Sequence, residues 1–151
     1  MKIVLDKGAK MPTRAHETDA GYDLYAPCDE IVPRSDTNSV GFGLFGGLYV
    51  GSTTIDTGVH VEIPRGYVGF IKSKSGLNVK HGLTAEGVID SGYTGSIVVK
   101  LYNHTNKDYA FNKGDKIAQL VILPIITPEL EPVDSLEETE RGDGGFGSTG
   151  R

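Results

Sequence analysis

A short turn in the middle of the chain carries a carboxylate and an aromatic ring that could act together on a bound molecule. The turn reads Asp90-Ser91-Gly92-Tyr93 and separates two apolar segments. A carboxylate at the mouth of a pocket can align a water molecule as a general base, an effect worth roughly 10²–10⁴ in rate. Tyr93 would form a flat wall beside a sugar. Asp-Ser-Gly is also good turn chemistry, so a solvated turn in which Asp90 caps its own backbone is the alternative.

Cations and hydroxyls lie together just before a predicted short helix, in the segment Lys72-Ser73-Lys74-Ser75-Gly76. Free N–H groups at a helix N terminus attract anions, and Lys74 with Ser75 could hold a phosphate there. An exposed basic loop is the alternative. Further along, Gln119 is the only polar side chain in an apolar segment. Because a buried amide needs partners, Gln119 either bonds neighbouring backbone or reaches a ligand.

Metal-binding candidates are few. Asp19 and Asp23 bring two carboxylates together near the start of the chain. One of them could serve Mg²⁺, which usually takes one or two protein carboxylates and completes its shell with substrate phosphates. The four histidines show no metal-binding spacing, and the single cysteine, Cys28, excludes a zinc site built from several thiolates.

The last residues read Arg-Gly-Asp-Gly-Gly-Phe-Gly-Ser-Thr-Gly, from position 141 to position 150. Ordering so many glycines is entropically costly, so a bound ligand must hold this segment in place. Arg141, Ser148 and Thr149 suit phosphate oxygens, and Phe146 offers a ring face for a base. A nucleotide meets these demands. A frayed glycine-rich terminus is the alternative.

Strands must position most of these groups. Apolar residues alternate with other residues at 59–63 and 97–101, which predicts strands. A helix of about two turns is predicted at 75–81, with Gly82 closing it. Frequent turns and short elements predict an all-β sandwich, jelly roll or barrel. The further predicted strands are residues 2–5, 23–25, 30–33, 48–49, 66–72, 83–89, 109–111 and 116–123.

Bulk properties limit the function classes. The 151 residues suit one domain, and the net charge of −5 argues against binding a nucleic-acid backbone. The longest apolar run, residues 120–126, is interrupted by Pro124 and falls short of the roughly 18–20 residues of a membrane helix. With one cysteine and no signal-peptide pattern, we expect an intracellular, cytoplasmic protein that binds no membrane.

Two segments differ from the rest in composition. Residues 36–51, from Asp36 to Gly51, are glycine-rich and predict a long hairpin or loop. Residues 127–140 hold two prolines and six carboxylates and predict an extended acidic tether. The chain therefore divides into a β domain at 1–126, the tether, and a glycine-rich arm at 141–151.

Five weak signals in this order give the chain a close resemblance to the trimeric dUTP pyrophosphatases, the dUTPases. The matching segments are residues 19–26, 74–77, 87–95, 114–119 and 141–150. They span nearly the whole chain, and the set is far more specific than any one member.

The resemblance implies a jelly-roll-like β-barrel subunit that forms a homotrimer, with active sites at the subunit boundaries and the C-terminal arm closing them. It also implies the reaction: dUTP and water would give dUMP and pyrophosphate, with Mg²⁺ on the triphosphate as cofactor. Such an enzyme limits uracil incorporation into DNA and supplies dUMP for dTMP synthesis. A bacterial and a viral or phage origin both fit this reading.

For the turn, the resemblance implies that Asp90 orients the water that attacks the α-phosphorus. Tyr93 would pack on the deoxyribose and leave no room for a 2′-hydroxyl. The backbone would read the uracil edge in a hairpin too narrow for a 5-methyl group. The hairpin residues implied to bind substrate are Gly87, Val88, Ile89, Asp90, Tyr93 and Val98.

For the phosphates, the resemblance implies catalytic roles for Ser75 and Gln119, with Lys74 and Gly76 as further ligands of the phosphate chain. Asp23 would touch the metal through water or support the cationic loop.

The arm would cover the substrate. Arg141, Ser148 and Thr149 would grip the γ-phosphate, while Phe146 would stack on uracil with Gly147 beside it.

The chain departs from the family pattern in three places. Lys74 stands where arginine is common, which replaces a bidentate phosphate fork by a point charge. Thr94 and Ser96 replace the arginine and the acidic or amide residue frequent after the hairpin tyrosine. The stretch 41–51 lengthens the region before residue 57.

Two other functions stay open at this stage. A related deaminase of the same fold would act on dCTP, but it should carry a carboxylate placed against C4 of cytosine. A trimeric binding protein could engage a protein partner through the apolar tips of the loop at 36–51.

Overall fold

The computed structural model describes residues 1–36 and 49–145. Within these ranges the regular structure consists of ten strands and one short helix. The strands are β1 (Lys2–Leu5), β2 (Gly21–Tyr25), β3 (Glu30–Val32), β4 (Gly51–Asp56), β5 (Val59–Glu62), β6 (Tyr67–Lys72), β7 (Leu83–Ile89), β8 (Val98–Asn103), β9 (Tyr109–Phe111) and β10 (Lys116–Pro124). The helix α1 covers Ser75–His81. The prediction of an all-β, jelly-roll-like fold with one short helix is confirmed.

Six strands form one antiparallel sheet in the order β2-β10-β6-β7-β8-β4, and the pairs β1-β5 and β3-β9 form two small sheets. Strands from the two ends of the sequence are neighbours, because β2 pairs with β10. The candidate groups on β2, β10, β6 and β7 therefore share one continuous surface.

Alternation along the strands explains the core. In β8, Val99, Leu101 and Asn103 are buried, whereas Val98 and Lys100 are exposed. Each fully buried branched aliphatic side chain contributes about 1.5–3 kcal/mol relative to exposure. The largest fully buried apolar side chains are Leu24, Ile55, Ile71, Leu83, Ile97, Leu101, Ile117 and Leu120.

Helix α1 has the predicted bounds. Gly82 ends it in the left-handed region, with φ of 61°, and donates its N–H to the carbonyl of Asn78 at 2.9 Å. Lys80 and His81 lie in the last turn, where positive charge suits the helix dipole. No helix residue is fully buried, and Leu77 packs partly buried against the core.

Strand β4 was not predicted from the sequence. Its Ser-Thr-Thr stretch is β-branched but not apolar, so it lacks a clear alternating pattern. It pairs with the whole of β8, from Gly51 opposite Asn103 to Asp56 opposite Val98. A side chain on Gly51 would lie 1.9 Å from the carbonyl oxygen of Pro33, so only glycine allows this close approach.

The predicted glycine-rich loop lies mostly outside the described residues, which include only its ends; Asp36 pairs there with Tyr49. The described residues after Pro124 form neither helix nor strand, and Leu130 in the predicted tether is 96% exposed. In the described part of the chain, no helix is long and apolar enough to cross a membrane.

Candidate active site

The strands that carry the predicted catalytic turn separate before they reach it. Pairing between β7 and β8 ends at Ala85 and Leu101. Beyond this point residues 86–89 of β7 pair with β6 on the other side, and residues 98–100 of β8 pair with β4. The facing edges of the two strands therefore part, and a slot opens between their backbones.

A cavity of about 210 Å³ occupies this slot. Ligand sites for drug-sized molecules run from roughly 300 to 1,000 Å³. This cavity is smaller, so it suits a single ring and part of an attached sugar. Gly87 does not line the cavity and lies half-buried opposite Ile71 of β6. The lining residues are Val88, Ile89, Asp90, Tyr93, Ser96 and Val98. Five of these six residues were singled out by the sequence.

Backbone contacts shape the turn and leave the carboxylate of Asp90 free. The N–H of Tyr93 donates to the Asp90 carbonyl at 3.1 Å, and Gly92 takes a φ of 92°, which favours glycine. The Asp90 side chain is exposed and has no hydrogen bond or ion pair to any residue that the structure describes. Its carboxylate is therefore available to a water molecule at the mouth of the cavity.

The ring of Tyr93 lies over Gly95. Its hydroxyl donates to the Ser96 carbonyl at 3.0 Å, and the side chain is 45% exposed. A Cβ on Gly95 would lie 2.3 Å from the Tyr93 hydroxyl and 2.5 Å from Cζ. Glycine at this position therefore lets the ring fold back along the turn and form a wall of the cavity.

The exit of the turn is tied to the end of β4. The Ser96 hydroxyl makes a very short hydrogen bond to the Asp56 carboxylate, and the Thr57 hydroxyl donates to the carbonyl of Ile97 at 2.7 Å. Hydrogen bonds from Ser96 and from the Gly58 N–H lower the pKa of Asp56. These hydrogen bonds could not be predicted from local sequence patterns, because they join segments far apart in the chain.

A row of polar side chains crosses four strands near the opposite end of the sheet. The members lie directly opposite one another and share one face: Asp23 on β2, Gln119 on β10, Lys72 on β6 and Glu86 on β7. Lys74, just beyond the end of β6, reaches back to this row.

Asp23 holds two lysines. Its carboxylate makes a very short ion pair with Lys74 and a second with Lys116 at 2.6 Å, although Asp23 is only 3% exposed. Burial alone would raise the pKa of Asp23, but the hydrogen bonds and charges of the two lysines outweigh it and lower the pKa. The same contact raises the pKa of Lys116. Lys116 was not among the predicted site residues.

This geometry bears on the two predicted roles of Asp23. Both carboxylate oxygens face an ammonium group, which suits a residue that supports the cationic loop. Within residues 1–36 and 49–145, no cluster of three or more His, Cys, Asp or Glu side chains could hold a metal ion. Mg²⁺ usually takes one or two protein carboxylates and completes its shell with substrate phosphates, and Asp23 is the carboxylate beside Lys74.

Gln119 bonds neighbouring backbone, which is one of its two predicted alternatives. Its side-chain amide donates to the carbonyl of Ser73 at 3.1 Å. The Ser73 hydroxyl in turn accepts from the Ala85 N–H at 2.9 Å. A Cβ on Gly21 would lie 2.5 Å from the Gln119 amide oxygen, so Gly21 makes room for this side chain. These contacts fix the backbone that leads into Lys74.

Ser75 and Gly76 form the first turn of α1 and are exposed. Nothing lies within 4 Å of a Cβ built on Gly76. The surface beside Lys74 is therefore open enough for a phosphate chain.

The hairpin and the cationic loop do not meet within one chain. Ser73 contacts Ala85, whereas the cavity begins at the far end of β7. Val88 is the first residue of β7 to line the cavity, and at ~3.3 Å per residue the three steps from Ala85 to Val88 correspond to roughly 10 Å.

The arm is described only at its beginning. Arg141 is exposed and its Nε donates to the carbonyl of Gly144 at 3.0 Å, inside its own turn. It does not line the hairpin cavity. The predicted contacts of Phe146, Gly147, Ser148 and Thr149 lie outside the described residues.

Comparison with known proteins agrees with this geometry. A family model described as dUTPase matches residues 7–50 and 48–150. The deoxyuridine 5'-triphosphate nucleotidohydrolase of Kluyveromyces lactis is 42% identical over 145 residues, which cover 95% of this chain and 88% of that protein.

Solved structures give the same result. The dUTPase of Staphylococcus bacteriophage 80alpha with dUpNHpp superposes with a TM-score of 0.82 at 33% identity, covering 99% of this chain and 98% of that one. A mutant dUTPase of phage phi11, whose structure reveals the coordination of a structural Mg(II) ion, has a TM-score of 0.73 at 32% identity, covering 91% of this chain and 98% of that one. The chain belongs to the dUTPase family.

Proposed function

We propose that this protein hydrolyses dUTP to dUMP and pyrophosphate by the attack of water on the α-phosphorus. The observation that carries the proposal is the parted hairpin, where the Asp90 carboxylate, which has no partner among residues 1–36 and 49–145, lies at the rim of a cavity of about 210 Å³. Family membership and the names of its relatives support the same substrate.

The base and the sugar would occupy the slot. Backbone groups on the parted edges near Gly87 and Val98 are suited to read the uracil edge, because β7 and β8 do not pair with each other there. Val88 and Ile89 line the cavity, and the narrow spacing of the strands would exclude a 5-methyl group. The Tyr93 ring would pack on the deoxyribose.

Asp90 would hold the nucleophile. Its carboxylate accepts a hydrogen bond from water and takes the proton as the water oxygen bonds to the α-phosphorus. The bond from the α-phosphorus to the bridging oxygen breaks, and pyrophosphate leaves with those electrons. Phosphoryl transfer needs little covalent help from protein, so positioning and charge supply most of the rate.

The cationic loop would bind the phosphate chain. Lys74 supplies a charge, Ser75 and Gly76 supply hydroxyl and backbone donors on an open surface, and Gln119 orients the loop through Ser73. Because Lys74 is already paired with Asp23, a phosphate shares this ammonium group with the carboxylate.

Magnesium would accompany the triphosphate. Bound there, Mg²⁺ would neutralise phosphate charge and favour departure of pyrophosphate. Asp23 would contact its water shell, since both of its oxygens face lysines. The coordination of Mg(II) in the phi11 relative supports the metal but not this particular contact.

The complete site would form between subunits of a homotrimer. Within one chain the cavity begins roughly 10 Å along β7 from the residue that contacts the cationic loop, and in a trimer a second copy could bring its own cationic loop to the cavity. The arm at 141–151 would then close the site, with Arg141, Ser148 and Thr149 on the γ-phosphate and Phe146 with Gly147 over the uracil.

In the cell this activity would limit uracil incorporation into DNA and supply dUMP for dTMP synthesis. A cytoplasmic location and a protein partner for the loop at 36–51 stay predictions, and most of that loop lies outside the described residues.

Product analysis with four nucleotides tests the proposal. Incubation with dUTP, dTTP, UTP and dCTP, with and without Mg²⁺, should give dUMP and pyrophosphate from dUTP alone and faster with the metal. Conversion of dCTP to dUTP would favour the deaminase instead. Binding of dUTP without any product would reduce the protein to a nucleotide-binding module.

A further inference from the structure

His60 on β5 contacts the turn that carries Asp90 and Tyr93. Its Nδ1 lies 2.9 Å from the carbonyl oxygen of Thr94, the residue that follows Tyr93. Its Nε2 lies 3.2 Å from the carboxylate of Asp6, just after β1. The side chain is 27% exposed, so the ring is held between two segments and still exchanges protons with solvent.

The chemistry of the two partners decides the state of the ring. A carbonyl oxygen and a carboxylate can only accept hydrogen bonds, whereas a neutral imidazole donates from one nitrogen alone. A neutral ring would therefore point a lone pair at an acceptor on one side. Only the imidazolium form satisfies both contacts.

The charges around the ring favour the same form. Hydrogen bonds to Thr94 and Asp6, together with the charges of Asp6 and Asp56, raise the pKa of His60 against a smaller effect of desolvation. A second cavity, of about 450 Å³, lies beside the His60 ring, and the other charged groups that line it are Lys2 and Glu62, which pair with each other at 2.8 Å.

We propose that protonated His60 is a positioning residue for the hydrolysis, holding the catalytic turn in place through the Thr94 carbonyl. The inference rests on the function proposed above. The other long-range hydrogen bonds of the turn hold its end at Ser96 and Ile97, and among the described residues those between Asp90 and Thr94 make hydrogen bonds only within the turn. His60 is thus the tie nearest to the ring of Tyr93 and to Asp90.

The sign of the pH effect follows. We call the two hydrogen bonds that protonated His60 donates to Thr94 and Asp6 the clamp. The clamp is complete below about pH 6.5, the pKa of an unperturbed histidine. It is lost as the pH rises through the higher pKa of His60 in the folded protein. Effects that the substrate and Asp90 have on the profile are shared by the wild-type protein and any His60 variant. They cancel in the ratio of the two kcat/KM values.

The experiment measures kcat/KM for dUTP with Mg²⁺ between pH 6 and 9 for the wild-type chain, His60→Gln and His104→Gln. His104 is the matched control, because its Nε2 faces the Thr84 hydroxyl, which can donate or accept. We expect wild type to exceed His60→Gln by about tenfold at pH 6, with the ratio falling toward one at alkaline pH. The ratio to His104→Gln should stay flat.

Nitrogen NMR of the full chain reads the clamp independently of turnover. We expect both ring nitrogens of His60 to carry protons at pH 6, with a pKa above that of a free histidine. Asp6→Asn should lower this pKa in the same NMR titration, and that shift serves as the test if His60→Gln does not fold.

A pH-independent ratio for His60→Gln, or a His60 ring with one proton at pH 6, would overturn the inference. Absence of dUTP turnover in the wild-type chain would instead overturn the proposed function, while the NMR titration would still decide whether the clamp exists.

Discussion

The two halves of the candidate site are built in opposite ways. In the cationic half the charged side chains and Gln119 already have partners: Asp23 holds Lys74 and Lys116, and Gln119 holds the backbone of Ser73. In the hairpin half, backbone bonds and ties at the edges hold the turn and leave Asp90 and the face of Tyr93 to solvent.

The difference follows from what each half would do. A binding site for phosphates needs charge fixed in place before substrate arrives, since ordering it later would cost entropy. A general base needs a free carboxylate at its reaction position. Substitutions in the hairpin should therefore change turnover and specificity, whereas substitutions in the cationic row should also change stability.

Asp90→Asn should give the largest effect. The amide keeps the shape of the side chain but cannot take a proton from water, so turnover should fall by roughly 10²–10⁴ while dUTP binding changes little. Steady-state kinetics and calorimetry measure the two quantities. Glu86→Gln is the control, because Glu86 is an exposed carboxylate on β7, the strand that leads into the turn, and it pairs with Lys72 away from the cavity. Near-normal turnover of Asp90→Asn would remove the contrast between the halves.

Deleting residues 141–151 should have the second-largest effect on turnover. Neither half encloses a substrate by itself, so loss of the arm should lower turnover by roughly 10- to 100-fold through poorer positioning. The melting temperature should hardly change, because residues 141–143 are exposed and the side chain of Arg141 bonds the backbone of its own turn. A truncated protein with full activity would show that the two halves suffice without a cover.

Gly95→Ala should affect specificity more than turnover. The added methyl group would displace the Tyr93 ring, whose hydroxyl occupies that space. Discrimination between dUTP and UTP should drop by about tenfold. Tyr93→Ala should remove more of it, and competition assays with both nucleotides compare the two variants. If both retain full discrimination, the sugar is read elsewhere.

Asp23→Asn should have the smallest effect on turnover. It tests whether substitutions in the cationic half also lower the free energy of unfolding. Removing this buried carboxylate leaves Lys74 and Lys116 without their partner and should cost about 1–2 kcal/mol, discounted because both lysines are partly solvated. Glu86→Gln, which breaks the exposed pair with Lys72, should cost about 0.5 kcal/mol or less.

The pH dependence of the unfolding free energy tests whether the two ion pairs of Asp23 cause this loss of stability. A lowered pKa means that the Asp23 carboxylate stabilises the fold above about pH 4 and stops doing so as the pH falls through its pKa in the folded protein. The difference in unfolding free energy between wild type and Asp23→Asn should therefore shrink in acid. A constant difference would mean that the ion pairs do not carry the effect.

Local patterns predicted much of this structure. The helix at 75–81 and the closing glycine at 82 have local signals, and the structure has both. The alternation of apolar and other residues predicted most strands. It did not predict β4, because the Ser-Thr-Thr stretch of β4 has no apolar periodicity.

Contacts between distant segments could not be predicted. The pairing of Asp23 with Lys116 and the tie from His60 to Thr94 depend on which strands become neighbours. The separation of β7 from β8 beyond Ala85 and Leu101 could not be predicted from the sequence either, because the apolar pattern continues through both strands. The positions of Asp90 and Tyr93 around one cavity followed from their shared turn.

The central claim is that water held by Asp90 attacks the α-phosphorus. Hydrolysis of dUTP in ¹⁸O-labelled water, followed by mass spectrometry of both products, tests it most directly. We predict one ¹⁸O atom in the phosphate of dUMP and none in pyrophosphate, with the labelling rate reduced in Asp90→Asn. Label in pyrophosphate would show attack on the β-phosphorus and would contradict the account.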